Sequence, residues 1–187
     1  MRHKPQCLKR TVIAQSNLFT IEQMQLKFSN GVERTFERIM QGSQGAVIIA
    51  AITDANHLLL VREYAAGTDN YTLAFPKGLI EPKETPQNAA NRELQEEVGF
   101  ASKQLTEIKK MTLAPGYFGA SMSLILAQNL YESVLPGDEP EPIEVIPWPL
   151  SEWRALLEHP DFTEARSIAA LYLVDDWLHI LEKQKEK

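Results

Sequence analysis

Residues 78–100, Gly-Leu-Ile-Glu-Pro-Lys-Glu-Thr-Pro-Gln-Asn-Ala-Ala-Asn-Arg-Glu-Leu-Gln-Glu-Glu-Val-Gly-Phe, leave room for one kind of element, a helix whose start and stop are both written in the chain. Thr85 offers a side-chain oxygen to the first free N–H groups, and Pro86 suits the first helical position because its missing N–H has no partner to lose. Gly99 ends the helix by accepting a left-handed backbone, and Phe100 supplies the apolar contact that follows such a cap. Positions three and four apart are neighbours on a helix surface. Glu93 therefore shares a face with Glu96 and Glu97, directly behind a tight turn expected at Gly78. Three carboxylates so close must be neutralised. Oxygen ligands of this kind suit Mg²⁺ or Mn²⁺, and Mg²⁺ is commonly held by one or two carboxylates together with substrate phosphates. Arg92, the cation in this acidic patch, is the expected orienting partner of Glu84 or Glu96.

The flanking sequence predicts an α+β fold. Apolar and polar residues alternate over Phe19–Phe28 and Val32–Ile39, on either side of Ser29-Asn30-Gly31. That is a hairpin signal, since Asn and Gly both tolerate positive φ. With a strand near Lys9–Ala14 it makes a small antiparallel sheet, too slight to stand alone. We read residues 1–44 as this β appendage, closed by a flexible joint at Gln41–Gly45, and residues 45–187 as the main domain. Ala46–Ile52 and Leu58–Val61 are apolar runs joined by a turn at Thr53–Asn56, as expected of buried central strands. Further strands are expected at Tyr71–Phe75, Leu105–Leu113, Ser121–Tyr131 and Ile143–Trp148, with an acidic, proline-containing loop at Leu135–Pro142. Ser151 is expected to cap a helix over Glu152–Glu158, and a longer one runs from Thr163 towards Leu181. Strands around one central helix, with later helices beyond, make a mixed β-sheet in an α/β/α sandwich.

A net charge of −6 argues against nucleic acid or an anionic membrane as partner, because both need clustered basic surface. No apolar run reaches membrane-spanning length, and the first residues lack the apolar core of a secretory signal, so the expected location is the cytoplasm. The single cysteine, Cys7, has no partner for an internal disulfide. His3, His57, His159 and His179 all stand far from the acidic helix in sequence and read as surface or core residues.

The spacing itself carries a resemblance. Gly78, five residues, Glu84, seven residues, Arg92-Glu93-Leu94, one residue, Glu96-Glu97, one residue, Gly99 and an apolar residue resembles the Nudix box. Seven fixed positions coincide by chance in fewer than about one window in 10⁸ at average residue usage. Phe100 stands where that family usually carries an aliphatic residue and keeps the apolar character. The resemblance implies the Nudix fold over roughly residues 45–180. It also implies two or more Mg²⁺ or Mn²⁺ ions, held by Glu93, Glu96, Glu97 and the main-chain carbonyl of Lys77, with Gly78, Glu84, Arg92 and Gly99 in orienting or structural roles. In some Nudix enzymes the water-activating base is a glutamate of the box, and in others one on a distant loop. The candidates here are Glu93 and the loop residues Glu139 and Glu141, of which we favour the loop.

Pro115, sixteen residues after Gly99, is placed as in the ADP-ribose-cleaving branch of the family, although a proline in such a corner also needs no functional reading. Arg62-Glu63-Tyr64 resembles the segment that contacts diphosphate or adenine in that branch. Arg62 or Arg38 is thus a candidate phosphate holder, the plain alternative being an exposed ion pair with Glu63 or Glu37. Longer stretches, among them Phe28-Ser29-Asn30-Gly31-Val32 and Gly137-Asp138-Glu139-Pro140-Glu141-Pro142, extend the likeness to Nudix hydrolases of ADP-linked compounds. They imply cleavage of ADP-ribose, NADH and diadenosine triphosphate with release of AMP, by a homodimer that exchanges its N-terminal sheet. Two alternatives stay open: a Nudix hydrolase of a nucleotide sugar such as GDP-mannose, and a non-catalytic nucleotide-sensing regulator. Against the regulator, the tail Glu182–Lys187 is of mixed charge and not a basic face.

Overall fold

The computed structural model describes residues 3–40 and 44–185, so residues 41–43 of the expected joint and the last two of the tail lie outside the described residues. Strands β1 (Gln6–Gln15), β2 (Thr20–Lys27) and β3 (Glu33–Ile39) form an antiparallel sheet in that order. The hairpin is present but is not a two-residue Asn-Gly turn. Gly31 alone takes positive φ, 80°, while the Asn30 side chain accepts from the Val32 N–H. This sheet groups with residues Thr112–Ser121 into one compact unit, and Ala46–Met111 with the chain from Met122 onward forms the other.

The second unit is built on a mixed sheet. Strands β4 (Ala46–Ile52), β5 (His57–Ala65), β6 (Asn70–Ala74), β7 (Lys77–Leu79), β8 (Phe100–Thr112), β9 (Ser121–Glu132) and β10 (Glu144–Pro149) run in the order β10-β5-β4-β9-β8, with β6 on β5 and β7 on β4. β4 lies parallel to β9 and antiparallel to both β5 and β7. Its edge is divided: β7 pairs with its first residues, Gly78 opposite Val47, and β5 with its last, Leu58 opposite Ile52.

Helix α1 (Pro86–Glu97) packs on one face of this sheet, where Ala89, Ala90 and Leu94 meet Val47, Ile49 and Ala51, all fully buried. Two alanines at the contact let the helix axis approach closely, which brings its glutamates against β7. The short α2 (Trp153–Leu156) and the long α3 (Ala165–Lys185) complete the unit, and α3 also packs on β4. The strand expected to start at Leu105 begins at Phe100. Gly99, at φ 78°, turns the chain straight from the helix into the sheet, and the Ser102 N–H donates to Asn91. Ser151 lies inside a 3₁₀ turn, Leu150–Glu152, and caps nothing; the helix after it is only four residues long. The short strand β7 had no signal of its own, because Pro76 interrupts the run of apolar residues that marks β6.

Candidate active site

Thr85 caps α1 as its chemistry requires, accepting from the Asn88 N–H, and Pro86 opens the first turn. One and two turns later the acidic face meets β7. Gly78 does not bend the chain into a left-handed conformation; it is part of an ordinary strand. Glycine is required there for space, since a Cβ on Gly78 would lie 1.9 Å from the carboxyl carbon of Glu93. The Glu93 carboxylate therefore rests on bare backbone. Beside it, Glu97 accepts from the Lys77 N–H at 3.2 Å and is only 7% exposed.

Arg92 ties the face together. Its Nη1 donates to Glu93 and Glu96, both at 2.8 Å, its Nε and Nη2 grip the two oxygens of Glu84 at 3.1 and 3.2 Å, and Nη2 also reaches the Leu79 carbonyl at 2.9 Å. One guanidinium thus fixes three carboxylates and the end of β7. It needs all its donors to do so, which lysine could not supply. Glu84 also accepts from the Glu81 N–H, and these bonds outweigh its burial and hold its carboxyl below the usual range.

Burial dominates the two innermost carboxylates. It raises Glu93 against the pull of Arg92, and it pushes Glu97 up to about 8, with the charges of Glu93 and Glu63 adding and Lys77 opposing. One buried and one half-buried acid, both held at a cost to ionisation and facing a strand backbone, suit a hard divalent cation. Among the described residues, no three His, Cys, Asp or Glu side chains stand ready-made as a metal site. The reason is visible: Arg92 draws Glu93 and Glu96 to itself while Glu97 turns to Lys77.

The acidic loop lies along the same helix. The Leu135 N–H donates to the Gln95 carbonyl at 3.2 Å, and a Cβ on Gly137 would stand 3.5 Å from the Glu96 carbonyl oxygen. Burial, then the charges of Glu63 and Asp138, raise the Glu139 carboxyl, with Lys77 opposing. Glu141 accepts from the Tyr71 hydroxyl. A cavity of about 250 Å³ opens here, lined by Arg62, Glu63, Tyr64, Tyr71, Glu139 and Glu141 among others.

Arg62 and Arg38 do not pair with the glutamates next to them in sequence. Arg62 bonds Asp161 at 2.5 Å and Glu144 at 3.0 Å instead of Glu63, which binds Lys77 Nζ at 2.6 Å. Arg38 bonds Glu22 at 2.8 Å, its cross-strand partner, and not Glu37. Adjacent residues on a strand point to opposite faces, so each arginine pairs across strands or with a loop. Arg38 belongs to the N-terminal unit, as does Pro115, which stands exposed in a turn where the Ala114 carbonyl accepts from Tyr117 and Phe118. The Glu63–Lys77 pair, Tyr71 and Asp161 were not anticipated; β6 brings Tyr71 to β5, β7 brings Lys77 to β4, and Asp161 comes from the loop before α3.

A divided sheet edge with an arginine-tied acidic helix behind it defines a class of phosphoanhydride hydrolases, and residues 42–172 match the NUDIX domain. The chain belongs to the Nudix hydrolase family. Residues 5–38 match the NudE-type Nudix hydrolase N-terminal domain. The chain is 51% identical over 175 residues to the ADP compounds hydrolase NudE of Escherichia coli (strain K12), covering 94% of each chain. It is 30% identical over 129 residues to the ADP-ribose pyrophosphatase of Bacillus subtilis (strain 168), covering 68% of this chain and 70% of that one. A crystal structure of an ADP compounds hydrolase superposes with a TM-score of 0.91 at 50% identity, covering 96% of both chains. Nudix hydrolases generally use divalent metal ions. No helix among the described residues is long and apolar enough to cross a membrane.

Proposed function

We propose that this chain hydrolyses the diphosphate linkage of ADP-linked compounds such as ADP-ribose, NADH and diadenosine triphosphate, releasing AMP with the help of Mg²⁺ or Mn²⁺. The observation that carries the reading is the contact of Glu93 with Gly78 beside the bond from Lys77 to Glu97, which gathers box carboxylates on one strand backbone. The substrate class rests on the names of the relatives that the chain resembles over almost its whole length. Glu93, Glu96, Glu97 and the Lys77 carbonyl would hold the ions, two or more of them. When bound, divalent ions neutralise the diphosphate and acidify attacking water.

The protein's own part is positional. Arg92 keeps Glu93 and Glu96 from drifting apart, and the Lys77 N–H sets the angle of Glu97. A carboxylate of the acidic loop, Glu139 or Glu141, takes the proton of the attacking water. Arg62, which lines the cavity, can trade Glu144, which is well exposed, for a substrate phosphate. Incubation with Mg²⁺ and each ADP-linked compound in ¹⁸O-labelled water tests this reading. AMP is the expected product, and the position of the label identifies the phosphorus attacked. All three compounds left intact, or GDP-mannose consumed in their place, would contradict it.

The N-terminal sheet supports a homodimer. β1 is exposed along its whole length, and Leu8, Val12, Ile13 and Phe36 all lie uncovered. A three-stranded sheet with so much apolar surface gains most by pairing with a second copy. Sedimentation at micromolar concentration should give a dimer, and a monomer would speak against the assignment.

A further inference from the structure

We propose that Tyr71 is a positioning residue for the acidic loop, its hydroxyl holding Glu141 so that Glu139 is presented to the acidic face of α1. The inference rests on the reading that a loop glutamate accepts the proton of the attacking water. Tyr71 stands on β6 and is 44% exposed, so core packing does not account for an aromatic residue there. Its hydroxyl donates to Glu141 Oε1. Its ring meets that of Tyr64 edge-on, 5.7 Å between centroids, and the Tyr64 hydroxyl is itself fixed by Asp69. The donor is thus aimed before the loop arrives.

The loop is built to transmit that hold. Pro140 and Pro142 fix their own φ angles and disfavour helical backbone at Glu139 and Glu141, the residues before them, and the chain bends at Pro140 and Glu141. Four residues so restricted act as a short stiff lever, and fixing Glu141 fixes Glu139. The loop's two ends are tied by Leu135 to Gln95 and by Glu144 to Arg62. Among the described residues, no other side-chain hydrogen bond ties residues 136–143 to the domain. Glu139 lines the same cavity as Glu63, whose carboxylate binds Lys77 Nζ at 2.6 Å, and the Lys77 N–H in turn donates to Glu97. The loop that carries the lever also rests on α1 itself, where a Cβ on Gly137 would stand 3.5 Å from the Glu96 carbonyl oxygen.

A double-mutant cycle on ADP-ribose hydrolysis with Mg²⁺ tests the link, using Tyr71→Phe, Glu141→Ala and the pair. Each single change should lower kcat about tenfold, the usual effect of losing an outer-shell partner, with KM unchanged. The pair should be no worse than either alone, because one bond is being removed. Amide hydrogen exchange of Leu135, whose N–H donates to the Gln95 carbonyl where the loop begins, should quicken in Tyr71→Phe, a readout that stands whether or not ADP-ribose is the substrate. Wild-type kcat and unaltered exchange in Tyr71→Phe would overturn the proposal. So would a Glu141→Ala loss far beyond that of Tyr71→Phe, which would make Glu141 itself the proton acceptor. A wild-type enzyme inert towards every ADP-linked compound would strike the functional reading instead, with the exchange result still deciding the role of Tyr71.

Discussion

Glu97→Gln should lower kcat at least about 10³-fold, equivalent to about 4 kcal/mol of lost transition-state stabilisation, and at the same time make the metal-free protein more stable at pH 8. Both effects follow from one buried carboxylate. Glu97 is 7% exposed and its carboxyl is pushed up to about 8 from the ordinary 4.5. A raised folded value means that the folded state holds the proton more tightly than the unfolded chain does. The stabilising contribution is complete below pH 4.5 and is lost as pH rises through 8. Glutamine imitates the protonated form, can still accept from the Lys77 N–H, and escapes that loss. In EDTA the melting temperature of the wild type should therefore fall from pH 5 to pH 8 more steeply than that of the variant, with a difference on the order of a few kcal/mol at the upper end. Added Mg²⁺ should restore the wild type and leave the variant unmoved. Scanning calorimetry at the two pH values and an AMP-release assay read out the pair. A variant with normal turnover, or a wild type indifferent to pH and Mg²⁺, contradicts the assignment of Glu97.

Gly78→Ala should cost about 10²-fold or more in kcat while the fold survives with a loss of about 1 kcal/mol or less. The new methyl would occupy the space of the Glu93 carboxylate, 1.9 Å from its carboxyl carbon. Two outcomes compete, a shift of β7 or a swing of Glu93. β7 is paired with β4 through three successive residues, whereas the end of a glutamate moves by rotating its χ angles. The side chain gives way. Its departure breaks the bond to Arg92 and takes an oxygen away from the strand backbone. Thermal melting and steady-state kinetics together distinguish this from general destabilisation. Were Gly78 needed as a flexible bend, alanine would cost stability as well; its ordinary strand conformation says otherwise.

Local chemistry was legible in the sequence at α1 and in the central strands, though not at Ser151, which caps nothing. Thr85, Pro86 and Gly99 mark the ends of α1 by capping preferences that need no distant partner, and the helix sits within a residue or two of its predicted limits. The apolar runs of β4 and β5 announce central strands in the same way, because burial on both faces leaves no polar position. What stayed hidden depends on tertiary pairing. β7 is a three-residue strand that exists because β4 offers an edge, and nothing within Lys77-Gly78-Leu79 marks it. The reason for Gly78 was likewise invisible, since a glycine required by a carboxylate fifteen positions on looks no different from one required by a turn. For Arg62 and Arg38 the alternative to holding a phosphate was an ion pair with the neighbouring Glu63 or Glu37, while the partners Asp161 and Glu22 are supplied by other segments.

Crystals grown with Mn²⁺ and measured at its absorption edge would test the central claim most directly. The account predicts anomalous density between α1 and β7, at oxygen-ligand distances of about 2–2.5 Å from Glu93, Glu96, Glu97 and the Lys77 carbonyl. Its loss in crystals of Glu97→Gln would complete the case. Manganese bound only elsewhere, with those carboxylates still turned to Arg92 and the Lys77 N–H, would contradict it.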